Sequence, residues 1–380
     1  MLPLEGIKVV DFTAAMAGPQ CTLLLGDFGA DIVKIEPPGG DHARRWGKNR
    51  FGERGDFSGM YIAMNRNKAS FEVDLKSPEG KEAVNALLRE ADVVVENFRP
   101  GVADRLGIGY ASVRAVNEKV VYCSISGFGQ TGPLKDRAGL DMLLQAYAGH
   151  MSVTGEEGRP SIRNGPAPID VLSGTNAALG IMMALYVRKT TGRGQYVETS
   201  LYESAIEIMS HFIADYTGSG EPTGKSGAHF AFGSPYGMFQ ASDREFYMGV
   251  SSDRKFLALC KAIEREDLVD DPRFSSNAQR IVNRGALHEQ LFPIFASRPA
   301  AHWVETCIGA NIPVSLVETV PEVVQQDQLK ARNMLLRSEI GDSCYAGLPI
   351  RLSETPGSVR RQPPTLGQDN EAILKRVGGQ

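Results

Sequence analysis

No two cysteines in this chain are spaced for a metal site or a redox loop. The five present, Cys21, Cys123, Cys260, Cys307 and Cys344, lie far apart. That odd, scattered set fits neither a disulfide framework nor zinc and suits a reducing compartment. A strong excess of one charge is missing too, and a net charge of −4 argues against a general nucleic-acid binder. Internal repeats and low-complexity tracts are absent. The first residues, Met-Leu-Pro-Leu-Glu-Gly, lack the basic and apolar regions of a signal peptide, so a cytoplasmic location is expected. One apolar run, Val171 to Val187, approaches the length of a membrane span. It stands alone and is rich in small residues (Ser173, Gly174, Ala177, Ala178, Gly180, Ala184), which predicts a tightly packed buried helix and no membrane partner.

What is there fills 380 residues, more than one ordinary core, so two domains of mixed architecture are expected. Ile7 to Phe12 reads as a buried strand, Gln20 to Phe28 as a helix closed by Gly29, and Asp31 to Glu36 as a second strand stopped by Pro37-Pro38. A strand, a helix and a strand in ~30 residues imply a parallel pair. The pattern recurs with a helix at Pro78 to Glu90 opened by Ser77, strands at Asp92 to Glu96 and Val120 to Ser126, and a helical stretch near Ala111 to Val116. A doubly wound α/β domain follows. After Tyr202 to Tyr216, a helix, the stretch 218–233 carries five glycines and reads as a linker. A hairpin (Gly237 to Gln240, Glu245 to Val250) and three helical patterns come next, which suggests a small α+β domain. Leu335 to Ile340 and Leu348 to Leu352 are strand candidates, and Asn370 to Val377 is a final helix.

A dinucleotide site has thin support on this sheet. Glu36 ends the second strand, where a ribose-binding acid would sit. The one literal G-x-G-x-x-G, Gly127 to Gly132, is followed by Pro133 and a polar run rather than by a helix. Basic residues gather instead near strand ends: Arg44, Arg45, Lys48, Arg50 and Arg54, then Arg66, Lys68 and Lys76, then Arg99 and Arg105. Most such runs are solvated faces, but a bound polyanion would need several of these cations. Asp170 stands out among the acids. Pro166 and Pro168 keep its approach extended and place it where the long apolar helix begins, so that its side chain can accept backbone N–H bonds there. A plain helix cap is the local alternative for it.

Several short stretches taken together resemble the class III CoA-transferases, the formyl-CoA and carnitine CoA-transferase group, to which the α-methylacyl-CoA racemases are related. They are Val9 to Thr13, Ala17 to Pro19, Asp27 to Ala30 with Lys34 to Glu36, Asn67-Lys68, Glu96 to Gly101, Thr190 to Gln195 and Leu366-Gly367. The resemblance implies a Rossmann-like large domain interrupted by a small α+β domain, and an interlocked homodimer. In these terms residues 1–217 form the large CoA-binding domain, 218–233 the linker, 234–325 the small domain, and 326–380 a return segment completing the first. The family's nucleophilic aspartate falls on Asp170. Its CoA contacts fall on Met16 and Ala17, on Val73, Asp74, Leu75 and Lys76, on Asn97, Phe98 and Arg99, on Arg105, and on Ala138, Gly139, Leu140 and Asp141. Acyl-CoA and a small carboxylic acid are then the substrates, with no metal and no tightly bound cofactor.

The formyl-CoA members have glutamine where this chain has Met16, arginine where it has Pro37, and lysine where it has Ala138, for which Arg137 is the neighbouring cation. Their run of four glycines has no counterpart between Gly218 and Gly237. An oxalate or formyl substrate is therefore not implied. The racemases read Gly-His-Asp where this chain reads Gly139-Leu140-Asp141, and leucine cannot carry a proton. Transferase chemistry is the reading, with a racemase, or an acyl-CoA-binding homologue without activity, as rivals.

Overall fold

A computed structural model of the chain describes residues 1–53 and 55–378; Arg54, one of the clustered cations, lies outside the described residues. Two compact units make up the chain. The first comprises Met1–Ala148, Asn164–Ser210 and the segment from Asp327 on, and the second Gly149–Arg163 and His211–Gln326. The second thus takes in residues 149–163, which the sequence reading left inside the first, and begins before the glycine-bearing stretch.

The first unit is built on six parallel strands in the order β3-β2-β1-β4-β5-β6. These are β1 (Lys8–Asp11), β2 (Asp31–Glu36), β3 (Lys68–Glu72), β4 (Val93–Glu96), β5 (Val121–Ser126) and β6 (Tyr196–Ser200). That is the strand order of doubly wound α/β domains, whose direction of winding reverses between β1 and β4. Alternation along the strands supplies both faces. Val9, Val93, Val95 and Cys123 point into one core, and Val10, Val94 and Tyr122 into the other. Onto the first face pack α1 (Ala17–Asp27) and the long helix α6 (Pro168–Thr191); onto the second pack α2 (Pro78–Glu90), α4 (Tyr110–Val116) and the C-terminal helix Asn370–Gly378. Between these lie α3 (Val102–Leu106) and α5 (Asp141–Tyr147), and α7 (Leu201–Ile208) follows β6.

Helix α6 is long and apolar enough, by length and composition, to cross a membrane. Here Ile169, Ser173, Ala177, Ile181 and Ala184 form a buried stripe at helical spacing that packs into the core with Cys21 and Leu25 of α1 and with Phe28 just after it. At Gly174 the two helices touch through backbone, since a Cβ there would lie 2.4 Å from the carbonyl oxygen of Ala17. Both helices are crossovers of a parallel sheet, so both begin at its carboxyl edge.

Sequence reasoning missed β3 and misplaced the last strand. Lys68, Ser70 and Glu72 look like a solvated run, yet Lys68 and Ser70 are fully buried. Strands β1 and β2 satisfy them, with Lys68 Nζ 3.3 Å from Asp11 and the Ser70 hydroxyl donating to Glu36 at 2.6 Å. Cys344–Ala346, not Leu348 to Leu352, pairs with Leu335–Arg337. In the second unit β7 (Tyr236–Gln240), β8 (Glu245–Gly249) and β9 (Val314–Leu316) form an antiparallel sheet. Helices Asp253–Ala262, Arg284–Ala296 and Ala300–Gly309 cover it around a core of Phe239, Phe246, Phe295 and Trp303.

Candidate active site

At the point where the sheet reverses, the β1–α1 loop meets the β4–α3 loop. Asn97 joins them: its amide oxygen accepts from Ala14 N–H at 3.0 Å and its amide nitrogen donates to Ala14 C=O at 2.9 Å. Ala15 is held at φ 68°, a strained conformation for a residue with a side chain, and its N–H donates to Asp41. Met16 then precedes α1 without offering a capping side chain.

Under these loops the charges are paired. Burial opposes ionisation of Asp11, but Lys68 and Lys34, with hydroxyls from Thr13 and Thr22, outweigh it and hold its carboxyl below the usual range. Glu36 accepts two bonds from Arg44, at 2.9 and 2.8 Å. Burial alone would raise its pKa, and the Arg44 bonds, Lys34 and the Asp41 N–H bring it down to about 2. Glu36 is therefore not free for a ribose. Arg66 pairs with Asp27 at 2.6 Å, so Arg44, Arg66 and Lys68 leave the set of cations open to a ligand. Lys76, Arg99 and Arg105 stay exposed and form no ion pair among the described residues.

Val73, Asp74, Leu75, Lys76 and Phe98 come together around a cavity of about 310 Å³ whose other wall is Phe12, Thr13 and Ala14. Those last three, with Leu106, were not anticipated from sequence. Arg99 opens onto a different cavity of about 320 Å³ with Glu96, Tyr122 and Tyr196. There burial, with a smaller push from Asp104, raises Glu96 to about 7 against the bonds from Ser124 and the Phe98 N–H.

Asp170 lies in the first turn of α6, four residues before the Gly174 contact with Ala17. It is not the cap. Ala167 holds the cap position without a side-chain bond, and Asp141 reaches in from α5. Asp141 Oδ2 accepts from the N–H groups of Ile169 (2.9 Å) and Asp170 (3.2 Å), while its Oδ1 accepts from Gln145 at 2.6 Å. The Asp170 carboxylate is half-buried and receives no hydrogen bond among the described residues. Burial, and then the Asp141 charge, push it up to about 7. A carboxylate in that state is a stronger nucleophile than a solvated one and is still ionised in half its molecules near neutral pH.

The glycines at 127–132 do not cradle a phosphate on a helix. A Cβ on Gly127 would lie 2.6 Å from Gly139 N, so the motif lets two backbones cross and fixes the stretch leading to Asp141. Ala138 and Leu140 on that stretch are exposed.

The sequence profile of CoA-transferase family III matches residues 4–370. The chain is 35% identical to acetyl-CoA:oxalate CoA-transferase of Acetobacter aceti, over 98% of this chain and 95% of that one. It is 33% identical to succinyl-CoA:glutarate CoA-transferase of Homo sapiens, over 99% of this chain and 86% of the relative. Among solved structures, a CAIB/BAIF family protein from Brucella suis superposes with a TM-score of 0.90 at 33% identity, covering 99% of both chains. With a doubly wound sheet, a loop crossing at its reversal point and similarity along its whole length, the chain belongs to CoA-transferase family III.

Proposed function

We propose that this enzyme moves CoA from an acyl-CoA thioester to a carboxylic acid, with Asp170 as the nucleophile. The observation that carries the reading is the unpaired, half-buried Asp170 carboxylate, raised to about 7, at a helix start whose N–H groups Asp141 already occupies. The relatives named for oxalate and glutarate support a carboxylic acid as acceptor. An Asp170 oxygen attacks the thioester carbonyl, the C–S bond breaks, and a mixed anhydride and CoA thiolate result. The thiolate attacks the aspartyl carbonyl and the donor acid leaves with the anhydride oxygen, giving an aspartyl-CoA thioester. The acceptor carboxylate attacks that thioester and expels the thiolate. Attack of the thiolate on the acceptor's acyl carbon then gives the new acyl-CoA and restores Asp170.

The Asp170 and Ile169 N–H groups are taken, so an oxyanion needs other donors. Ala17 and Gly18, in the uncapped first turn of α1, supply them at the positive end of that helix. The cavity of Val73 to Lys76 and Phe98 takes the nucleotide end of CoA, with Lys76 on its wall and Arg105 as phosphate partners; Arg99 opens onto the other cavity and lies outside this set, and Met16, Asn97 and Ala138 to Asp141 line the path between. CoA is a substrate here, and we infer no resident cofactor.

A 2-methylacyl-CoA racemase needs a titratable group on each face of the substrate, and Leu140 is not one. An inactive binding homologue would gain nothing from an unpaired buried acid, which costs stability. Leu140, which precedes α5, Met142, Leu143 and Tyr147 of α5, and Leu179, Met183 and Tyr186 of α6, are 48–75% exposed. An apolar surface of that extent marks an interface, and we infer an interlocked homodimer.

The test is incubation with acyl-CoA but no acceptor. A covalent species should form, and reduction by borohydride should mark the peptide holding Asp170. Asp170→Asn should abolish both the mark and transfer, by about 10⁴-fold or more, because an amide is a poor nucleophile. A mark on another carboxylate would overturn the assignment, and a folded monomer by sedimentation of the same sample would remove the dimer.

A further inference from the structure

One cation on the approach to Asp141 forms no ion pair among the described residues. Arg137 is exposed. It makes no ion pair or side-chain hydrogen bond among the described residues, yet it is held in place. Its guanidinium lies 4.8 Å from the ring centroid of Tyr147 and 5.5 Å from that of Phe128, and both rings contact Tyr202 at 5.8–5.9 Å. The backbone is fixed as well: Arg137 N–H donates to Leu134 at 2.9 Å, and its carbonyl oxygen borders the Gly127–Gly139 crossing. Rings that stack on a guanidinium hold its plane and leave its N–H edge open. Such an edge fits the two oxygens of a carboxylate.

Its place in the chain points to the acid and away from the nucleotide. Four residues on, Asp141 bonds the backbone of Asp170 itself, and four residues of extended chain span at most about 14 Å. The cavity of Val73 to Lys76 and Phe98 includes neither Arg137 nor its three aromatic neighbours.

We propose that Arg137 is a specificity-determining residue that binds the far carboxylate of a dicarboxylic acid while the near one reacts at Asp170. This rests on the aspartyl reading given above. The acceptor class is then short dicarboxylates, and the guanidinium adds affinity for the charge that a monocarboxylate lacks.

Two variants separate charge from packing: Arg137→Met keeps the aliphatic stem, and Arg137→Lys keeps the charge without the planar fork. KM is measured for glutarate and for pentanoate, acids of equal chain length, with whichever of acetyl-CoA or propanoyl-CoA marks Asp170 faster as donor. Arg137→Met should raise KM for glutarate tenfold or more and leave that for pentanoate and for the donor within twofold. Arg137→Lys should fall between. Equal losses on both acids, with a raised donor KM, would make Arg137 a CoA-phosphate contact and overturn the proposal. So would an unchanged glutarate KM, or a native enzyme that prefers pentanoate. Failure of the aspartyl reading shows separately, as a native enzyme that neither donor marks; Arg137→Met must still be marked at Asp170.

Discussion

Two sets of buried acids sit at the same edge of one sheet and behave oppositely. Under the β1–α1 loop, Asp11 and Glu36 are enclosed by Lys34, Lys68 and Arg44, and both are held below the ordinary carboxylate range. At the start of α6, Asp170 has a second acid for a neighbour and no cation among the described residues, and it is pushed up to about 7. Burial opposes ionisation in both places, so partners alone decide the direction. The first set fixes the strained loop and cannot react, since its oxygens are already bonded. In the second, no hydrogen bond or ion pair among the described residues offsets the Asp170 charge, and that is the state the proposed nucleophile needs.

The largest effect expected from disturbing this contrast is in the paired set. Arg44→Met leaves Glu36 buried without its partner, which should cost about 3–5 kcal/mol in denaturant unfolding. Adding Glu36→Gln should return most of it, because a neutral pair needs no counter-charge. If the single variant is near wild type, Glu36 is not held by Arg44. The pH signs differ as well. The Glu36 contribution is complete above its unfolded value of about 4.5 and is lost as pH falls through about 2.

Much of this contrast was hidden from sequence, and the reason is physical. Alternating valines and Ser77 before Pro78 announce strands and a helix through local rules, and those elements stand where expected. Arg44, Arg66 and Lys68 read like Lys76 and Arg105 because exposure depends on partners far along the chain. Asp27 lies 39 residues from Arg66. Asp170 was legible from the Pro-Ala-Pro approach and the small-residue run, but its cap was not. Asp141, 29 residues earlier, fills a role that local pattern assigns to Asp170 itself. Tertiary override of this kind concentrates where the chain does chemistry.

A medium effect is expected at Asp170. Its folded value lies above the unfolded one of about 4, so its favourable contribution is complete below that pH and is lost as pH rises through about 7. The full shift corresponds to about 4 kcal/mol, which partial solvent exposure reduces to about 1–2 kcal/mol. Asp170→Asn should therefore be the more stable protein at pH 8 by that margin and equal to wild type near pH 4. An unchanged difference across that range would mean that Asp170 titrates normally, and would remove the contrast with Glu36.

The smallest effect dissects the raised value. Burial is its larger cause and the Asp141 charge the smaller, so removing that charge should move the titration without restoring it. Asp141→Asn keeps a side-chain oxygen for the N–H groups of Ile169 and Asp170 and deletes the repulsion. The kcat/KM profile reports the free enzyme's ionisations. In wild type it should rise with pH through about 7, since the proposed attack needs Asp170 ionised. In the variant the midpoint should fall by less than one pH unit. A fall to about 4, the ordinary carboxylate value, would show that the neighbouring charge, and not burial, raises Asp170. No movement at all would show that Asp141 serves α6 only as a cap.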